Sequence, residues 1–115
     1  MTSNLSEKKC IPCESGNTEL LLDKSKINEL IARVKDWKLS EDSKSIFKEY
    51  KFSDFVKSIS FINQVADVAE MEGHHPDIFI SYNKVTLTLS THSIGGLSEN
   101  DFILASKIND LWLIK

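Results

Sequence analysis

The residues able to do chemistry near neutral pH are few and lie close together. The chain holds three histidines, all between positions 74 and 92: His74-His75, immediately before Pro76, and His92. Imidazole has an unperturbed pKa of about 6.5, so it both gives and accepts protons at neutral pH. A histidine cluster therefore suits general acid–base catalysis, with two complementary roles available in one pocket. Asp101 and Glu70 are carboxylates within reach of that cluster in sequence, Glu70 one helical turn ahead of His74. The same His, His, His, Asp set is formally a set of metal ligands. Adjacent histidines in extended backbone point apart, however, which makes joint ligation by His74 and His75 awkward, and no metal is expected.

Each of these residues also has a structural reading. His74 at a helix C-terminus meets the negative end of the macrodipole, and His92 suits a hydrogen-bonded turn. Asp101 stands third after Ser98 in Ser98-Glu99-Asn100-Asp101, where an acid completes a capping box. Glu70 could orient an imidazole but reads first as a solvated surface glutamate. Gly95-Gly96 is too short for a phosphate loop and reads as a turn. Cys10-Ile11-Pro12-Cys13 has the spacing of a redox pair or half a zinc knuckle, but no second Cys pair or spaced His pair completes a four-ligand site. No buried strand precedes it either, as a thioredoxin-like motif requires, so both cysteines read as ordinary thiols.

The elements that must position the histidines follow from hydrophobic period. Ile27, Leu30, Ile31 and Val34 recur at helical spacing after Asp23, predicting a helix over about 24–35. Trp37–Leu39 and the alternating run Ile46–Phe52 read as paired strands, with Ile46, Lys48, Tyr50 and Phe52 on one face. From Ser53, taken as the N-cap, Phe55, Ile59, Ile62, Ala66 and Ala69 with Val65 beside them predict the longest helix, about 54–72. Gly73 and the pre-proline His75 end it. Ile78–Tyr82 and Val85–Ser90 read as strands about an Asn83-Lys84 turn. Ser98–Asp101 then opens a last helix carrying Leu104, Ile108 and Leu111.

Hairpins alternating with helices imply an α+β, two-layer fold: a four-stranded antiparallel sheet with helices packed on one face. The expected organisation is a mobile or loosely docked arm over 1–22 and a single domain over 23–115. At 115 residues, with 41% hydrophobic and 27% charged residues, two separately cored domains are excluded. The absence of an apolar run long enough for a membrane span, and of an apolar core in Met1–Lys9, points to the cytoplasm. A net charge of −3, with no basic block longer than Lys8-Lys9, gives no support to nucleic-acid binding. Phe47, Phe79 and Trp112 exceed what so small a core needs, and some of that surplus suits an interface between copies.

Taken in order, Glu70…His74-His75-Pro76, Tyr82-Asn83-Lys84-Val85, Leu89-Ser90-Thr91-His92, Gly96-Leu97-Ser98 and Asp101 with Leu104-Ala105 resemble the pattern of the pterin-4a-carbinolamine dehydratases. The resemblance spans about Trp37 to Leu111, and the arm around Lys9-Cys10-Ile11-Pro12-Cys13-Glu14 is similar to bacterial members. It implies a homodimer or homotetramer that removes water from 4a-hydroxytetrahydropterin to give quinonoid dihydropterin, without metal or organic cofactor. It also implies a link to tetrahydrobiopterin recycling for aromatic amino acid hydroxylases. Carried over by position, His74, His75 and His92 form the catalytic set, with His74 and His92 as the acid–base pair and His75 mainly holding the pterin. Glu70, Pro76, Ser90, Thr91 and Asp101 bind or position. Ile78 departs from the family, many members of which carry Trp there; Phe79, on the opposite strand face, is the nearest aromatic. A non-catalytic pterin-binding module, or a dimerisation and coactivator module like the animal relatives, is the alternative reading.

Overall fold

A computed structural model describes residues 5–8, 10 and 21–111. Four strands form one antiparallel sheet in the order β1-β2-β4-β3. They are β1 (Lys38–Leu39), β2 (Ile46–Lys51), β3 (Asp77–Ser81) and β4 (Lys84–Leu89). Three helices, α1 (Lys24–Ile31), α2 (Phe55–Glu72) and α3 (Glu99–Asn109), cover one face. Ile46, Val85, Leu87 and Leu89 point under the helices and are fully buried, while Thr86, Thr88 and Glu49 alternate onto the other face. The expected α+β sheet-and-helix architecture is the one observed.

Where the elements differ from expectation, packing gives the reason. Asp23 caps α1, accepting the Lys26 N–H at 2.8 Å, but the helix stops at Ile31, short of 35. Successive i→i+3 bonds, Arg33 N–H to Leu30 O and Val34 N–H to Ile31 O, wind the chain into turns instead. Val34 and Trp37 are buried from those turns, and the Trp37 indole donates to Asn109 Oδ1 of α3 at 3.0 Å.

The N-cap of α2 is Asp54, not Ser53: its carboxylate accepts the Lys57 N–H at 2.8 Å. The buried stripe is also rotated from the expected one. Ser58, Phe61, Val65 and Ala69 face the core, whereas Phe55 and Ala66 are exposed. α2 carries apolar residues most of the way round, so two overlapping stripes fit its period equally. Phe61 decides between them, with its ring 4.6 Å from Tyr50 and 5.1 Å from Phe52, centroid to centroid.

The β3–β4 loop is Tyr82-Asn83, since Ser81 pairs with Lys84, and it is Tyr82 that takes the positive φ of 55°. Asn83 serves elsewhere: its side chain donates to Phe52 O at 3.0 Å and its own carbonyl accepts the Phe52 N–H at 2.8 Å, tying the hairpin to the end of β2. Most of the arm expected over 1–22, Cys13 included, and Trp112 lie outside the described residues. Where the arm is described it touches the body: Leu5, in a short 3-10 turn (Leu5–Glu7), is 4% exposed within the core cluster.

Candidate active site

Two element ends create the site. α2 closes at Gly73, whose φ of 65° is the left-handed cap conformation, with its N–H and that of His74 both bonded to Ala69 O. The reversal throws His74-His75 off the helix into extended chain, so their side chains diverge. Some distance along, β4 ends at Leu89, and Thr91 and Gly96 bridge across the 3-10 turn His92–Ile94. Gly95-Gly96 is thus the turn it reads as. A Cβ at Gly73 meets no atom within 4 Å, so Gly73→Ala is strained by conformation alone. We expect it to lower stability by about 1–2 kcal/mol in urea titration, with Gly73→Asn costing less.

His74 turns inward. Its Nε2 lies 2.6 Å from Asp101 Oδ1, with the imidazole 12% exposed and the carboxylate fully buried. Asp101 Oδ2 accepts two further bonds, from the Thr91 hydroxyl at 2.8 Å and from the Ser98 N–H at 2.9 Å. The second is one half of the capping box that starts α3. A carboxylate in this position only accepts, which assigns the protons: His74 carries hydrogen on Nε2, and Thr91 points its hydroxyl hydrogen at Asp101. The Ser98 hydroxyl, 2.8 Å from Thr91 Oγ1, is then the donor to it. Neutral His74 is left with Nδ1 as its available acceptor.

His75 turns outward to the other carboxylate, Nε2 to Glu70 Oε2 at 2.5 Å, both groups being exposed. Glu70 therefore serves His75 rather than His74. His92 stands at the rim, 77% exposed, with Nε2 at 3.9 Å from Asp77 Oδ2. Gly73, all three histidines, Ser90, Thr91, Ser93 and Asn100 line one open cleft of about 280 Å³. Asp101 backs this cleft through His74, and Pro76 joins His75 to β3 without lining it.

Asp77, Ser98 and Asn100 have no place in the sequence reading of the site. The register that sets Asp77 opposite Thr88, near the end of β4, brings it to His92, and sequence alone does not fix register. Phe79 stands away from the cleft. It is 65% exposed and lines a separate groove with Tyr50, Lys51, Lys84 and Thr86, so the nearest aromatic to Ile78 does not face the histidines. Among the described residues no cluster of three or more His, Cys, Asp or Glu is arranged to hold a metal ion. Each imidazole instead faces its own carboxylate, an arrangement suited to moving protons.

Comparison with known proteins supplies the family. The family model described as Pterin 4 alpha carbinolamine dehydratase matches residues 20–111. A Rickettsia canadensis protein named for the same dehydratase is 48% identical over 90% of this chain and 94% of its own length. Pterin-4-alpha-carbinolamine dehydratase 2, mitochondrial, of Arabidopsis thaliana is 41% identical over 95% of this chain and 59% of its own. A crystal structure of a transcriptional coactivator/pterin dehydratase from Brucella melitensis superposes with a TM-score of 0.76 at 35% identity, covering 82% of this chain and 98% of that one. The chain belongs to the pterin-4a-carbinolamine dehydratase family, whose enzymes are hydro-lyases. The fold alone is shared with a pterin dehydratase-like protein identified as a RuBisCO assembly factor, at 23% identity and a TM-score of 0.55.

Proposed function

We propose that the protein eliminates water from 4a-hydroxytetrahydropterin by histidine general acid–base catalysis. The observation that carries this reading is the convergence of three imidazoles, each facing a separate carboxylate, on one cleft in a chain of this family. The cleft volume, at the small end for ligand sites, suits a bicyclic ring rather than a polymer.

The reaction breaks the C4a–O bond and removes the proton of the adjacent ring nitrogen, whose electron pair forms the new C=N bond. Hydroxide is a poor leaving group and must depart as water. His74, held in one tautomer by Asp101, takes the nitrogen proton on Nδ1, and the resulting imidazolium is stabilised by the buried carboxylate. His92 delivers a proton to the departing hydroxyl, and its exposure lets it be reloaded from solvent. The two transfers balance, giving quinonoid dihydropterin and water. Each is worth about 10²–10⁴ in rate. His75, with Glu70, holds the pterin's polar edge, and Ser90 and Thr91 shape the floor.

No metal or organic cofactor is needed for these steps. The same reading makes the protein a cytoplasmic homodimer or homotetramer serving an aromatic amino acid hydroxylase. Exposed Phe55 and Val56 on α2, and Ile78, Phe79 and Tyr82 at the β3 edge, support assembly.

The test is stopped-flow ultraviolet absorbance of freshly generated 4a-hydroxytetrahydropterin. The protein should accelerate decay to the quinonoid form, and a His74→Ala, His92→Ala double variant should lose turnover while keeping its oligomeric state by light scattering. A folded protein that binds pterin without acceleration would leave the alternative, a binding or coactivator module.

A further inference from the structure

The described part of the N-terminal segment is anchored at the two element ends that carry His74 and Asp101. Leu5 is buried against α3. The Lys8 ammonium then meets Glu99 Oε2 at 2.7 Å in the first turn of α3. The Cys10 N–H donates to Glu72 Oε1 at 2.9 Å, and the Cys10 thiol donates weakly to Asn100 O at 3.6 Å. Glu72 is the last residue of α2, two before His74, and Asn100 immediately precedes Asp101. One residue of the segment thus touches both chain stretches whose separation sets the 2.6 Å His74–Asp101 bond.

Glu72 is the unusual member. Its side chain is only 5% exposed, and its second oxygen lies 3.6 Å from the Lys107 ammonium of α3. A carboxylate withdrawn from water to this extent is costly unless held by donors on more than one side. Here those donors come from the N-terminal segment and from α3, so the group ties three parts of the chain behind the cleft. Burial foremost, and then the Glu72 charge, push the Cys10 thiol up to about 12. It therefore stays protonated, as a donor, throughout the working pH range.

We propose that Leu5, Lys8 and Cys10 form a clamp on the active site and that Glu72 is a positioning residue acting through it. The clamp holds the end of α2 against the start of α3, so that His74 keeps its short bond to Asp101. A displacement of about 1 Å between catalytic groups costs on the order of 10² in rate, which makes such a brace consequential although it sits behind the cleft.

The rate readout rests on the dehydratase reading, so the test carries a second readout that does not. The His74 N–H in its short bond to a carboxylate gives a far-downfield proton NMR resonance, measurable without substrate. Glu72→Ala should lower kcat by about tenfold to a hundredfold with KM changed less than about twofold, and should shift or broaden that resonance. Glu72→Gln, which keeps a carbonyl acceptor for the Cys10 N–H, should recover most of both. Leu5→Asp undocks the segment from its far end and should reproduce the Glu72→Ala effects, and combining the two should add little, because both release the same brace. Folded variants with wild-type kcat and an unmoved resonance would overturn the proposal. So would a Glu72→Gln variant as impaired as Glu72→Ala, which would assign the effect to the Lys107 charge pair. A wild type without turnover whose resonance still responds to these variants would separate failure of the dehydratase reading from failure of the clamp.

Discussion

Asp101→Asn should lower kcat by about 10³–10⁴ while leaving the fold in place. The side chain is isosteric, but an amide presents one oxygen and one NH₂ where the carboxylate presents two acceptors. Two donors, the Thr91 hydroxyl and the Ser98 N–H, converge on the Oδ2 side. The amide oxygen must take that side, so the NH₂ is turned toward His74 Nε2. The imidazole then has to accept at Nε2 and carry its hydrogen on Nδ1, the atom that must be free to take the substrate's proton. The buried negative charge that stabilises the imidazolium is lost in the same step. Nitrogen-15 NMR of the His74 ring should report the exchanged tautomer, and the stopped-flow assay the rate. A variant within a few-fold of wild-type kcat would remove His74 from the role of base.

His92→Ala should be its counterpart: a kcat loss of about 10²–10⁴ at almost no cost in stability. The side chain is 77% exposed and its carboxylate neighbour Asp77, 3.9 Å away, is 72% exposed, so its removal opens no buried cavity and strands no buried charge. The expected signature lies in the pH profile. A working acid and base give kcat/KM a bell-shaped dependence on pH, and losing the acid should flatten one limb while the other persists. A parallel fall of both limbs with unchanged shape would mean that His92 binds substrate rather than donating a proton. Thermal melts should coincide with wild type, since neither partner of the His92–Asp77 pair is buried.

Much of this site was legible from residue type and spacing. Three imidazoles near a chain reversal, and an aspartate at the third position of a helix, are local signals. Asp101 does complete the capping box its position implies, while its pairing with His74 in particular is a tertiary contact that spacing left open. Geometry that depends on how elements meet was not legible. The stripe on α2 was misplaced because Phe55, Val56, Ile59, Phe61, Ile62 and Val65 leave little polar face to mark the solvent side, and only the tilted packing of Phe61 against Tyr50 and Phe52 selects a rotation. Asn83 was the better candidate for positive φ by propensity, yet its side chain is committed to Phe52 O, and Tyr82 takes the strain. Asp77 was invisible because its only connection to His92 runs through the β3–β4 register. The arm's polar composition concealed that Leu5 and Cys10 are held against α2 and α3.

The capping box at the start of α3 has a consequence for how such a site can change. One carboxylate both begins the last helix and sets the proton on His74, so the basicity of the buried imidazole cannot be retuned there without re-solving the helix terminus as well. The pairs His75–Glu70 and His92–Asp77 carry no such double duty, since all four side chains are exposed. Divergence in substrate preference has room at those two pairs, while the chemistry stays locked to the architecture.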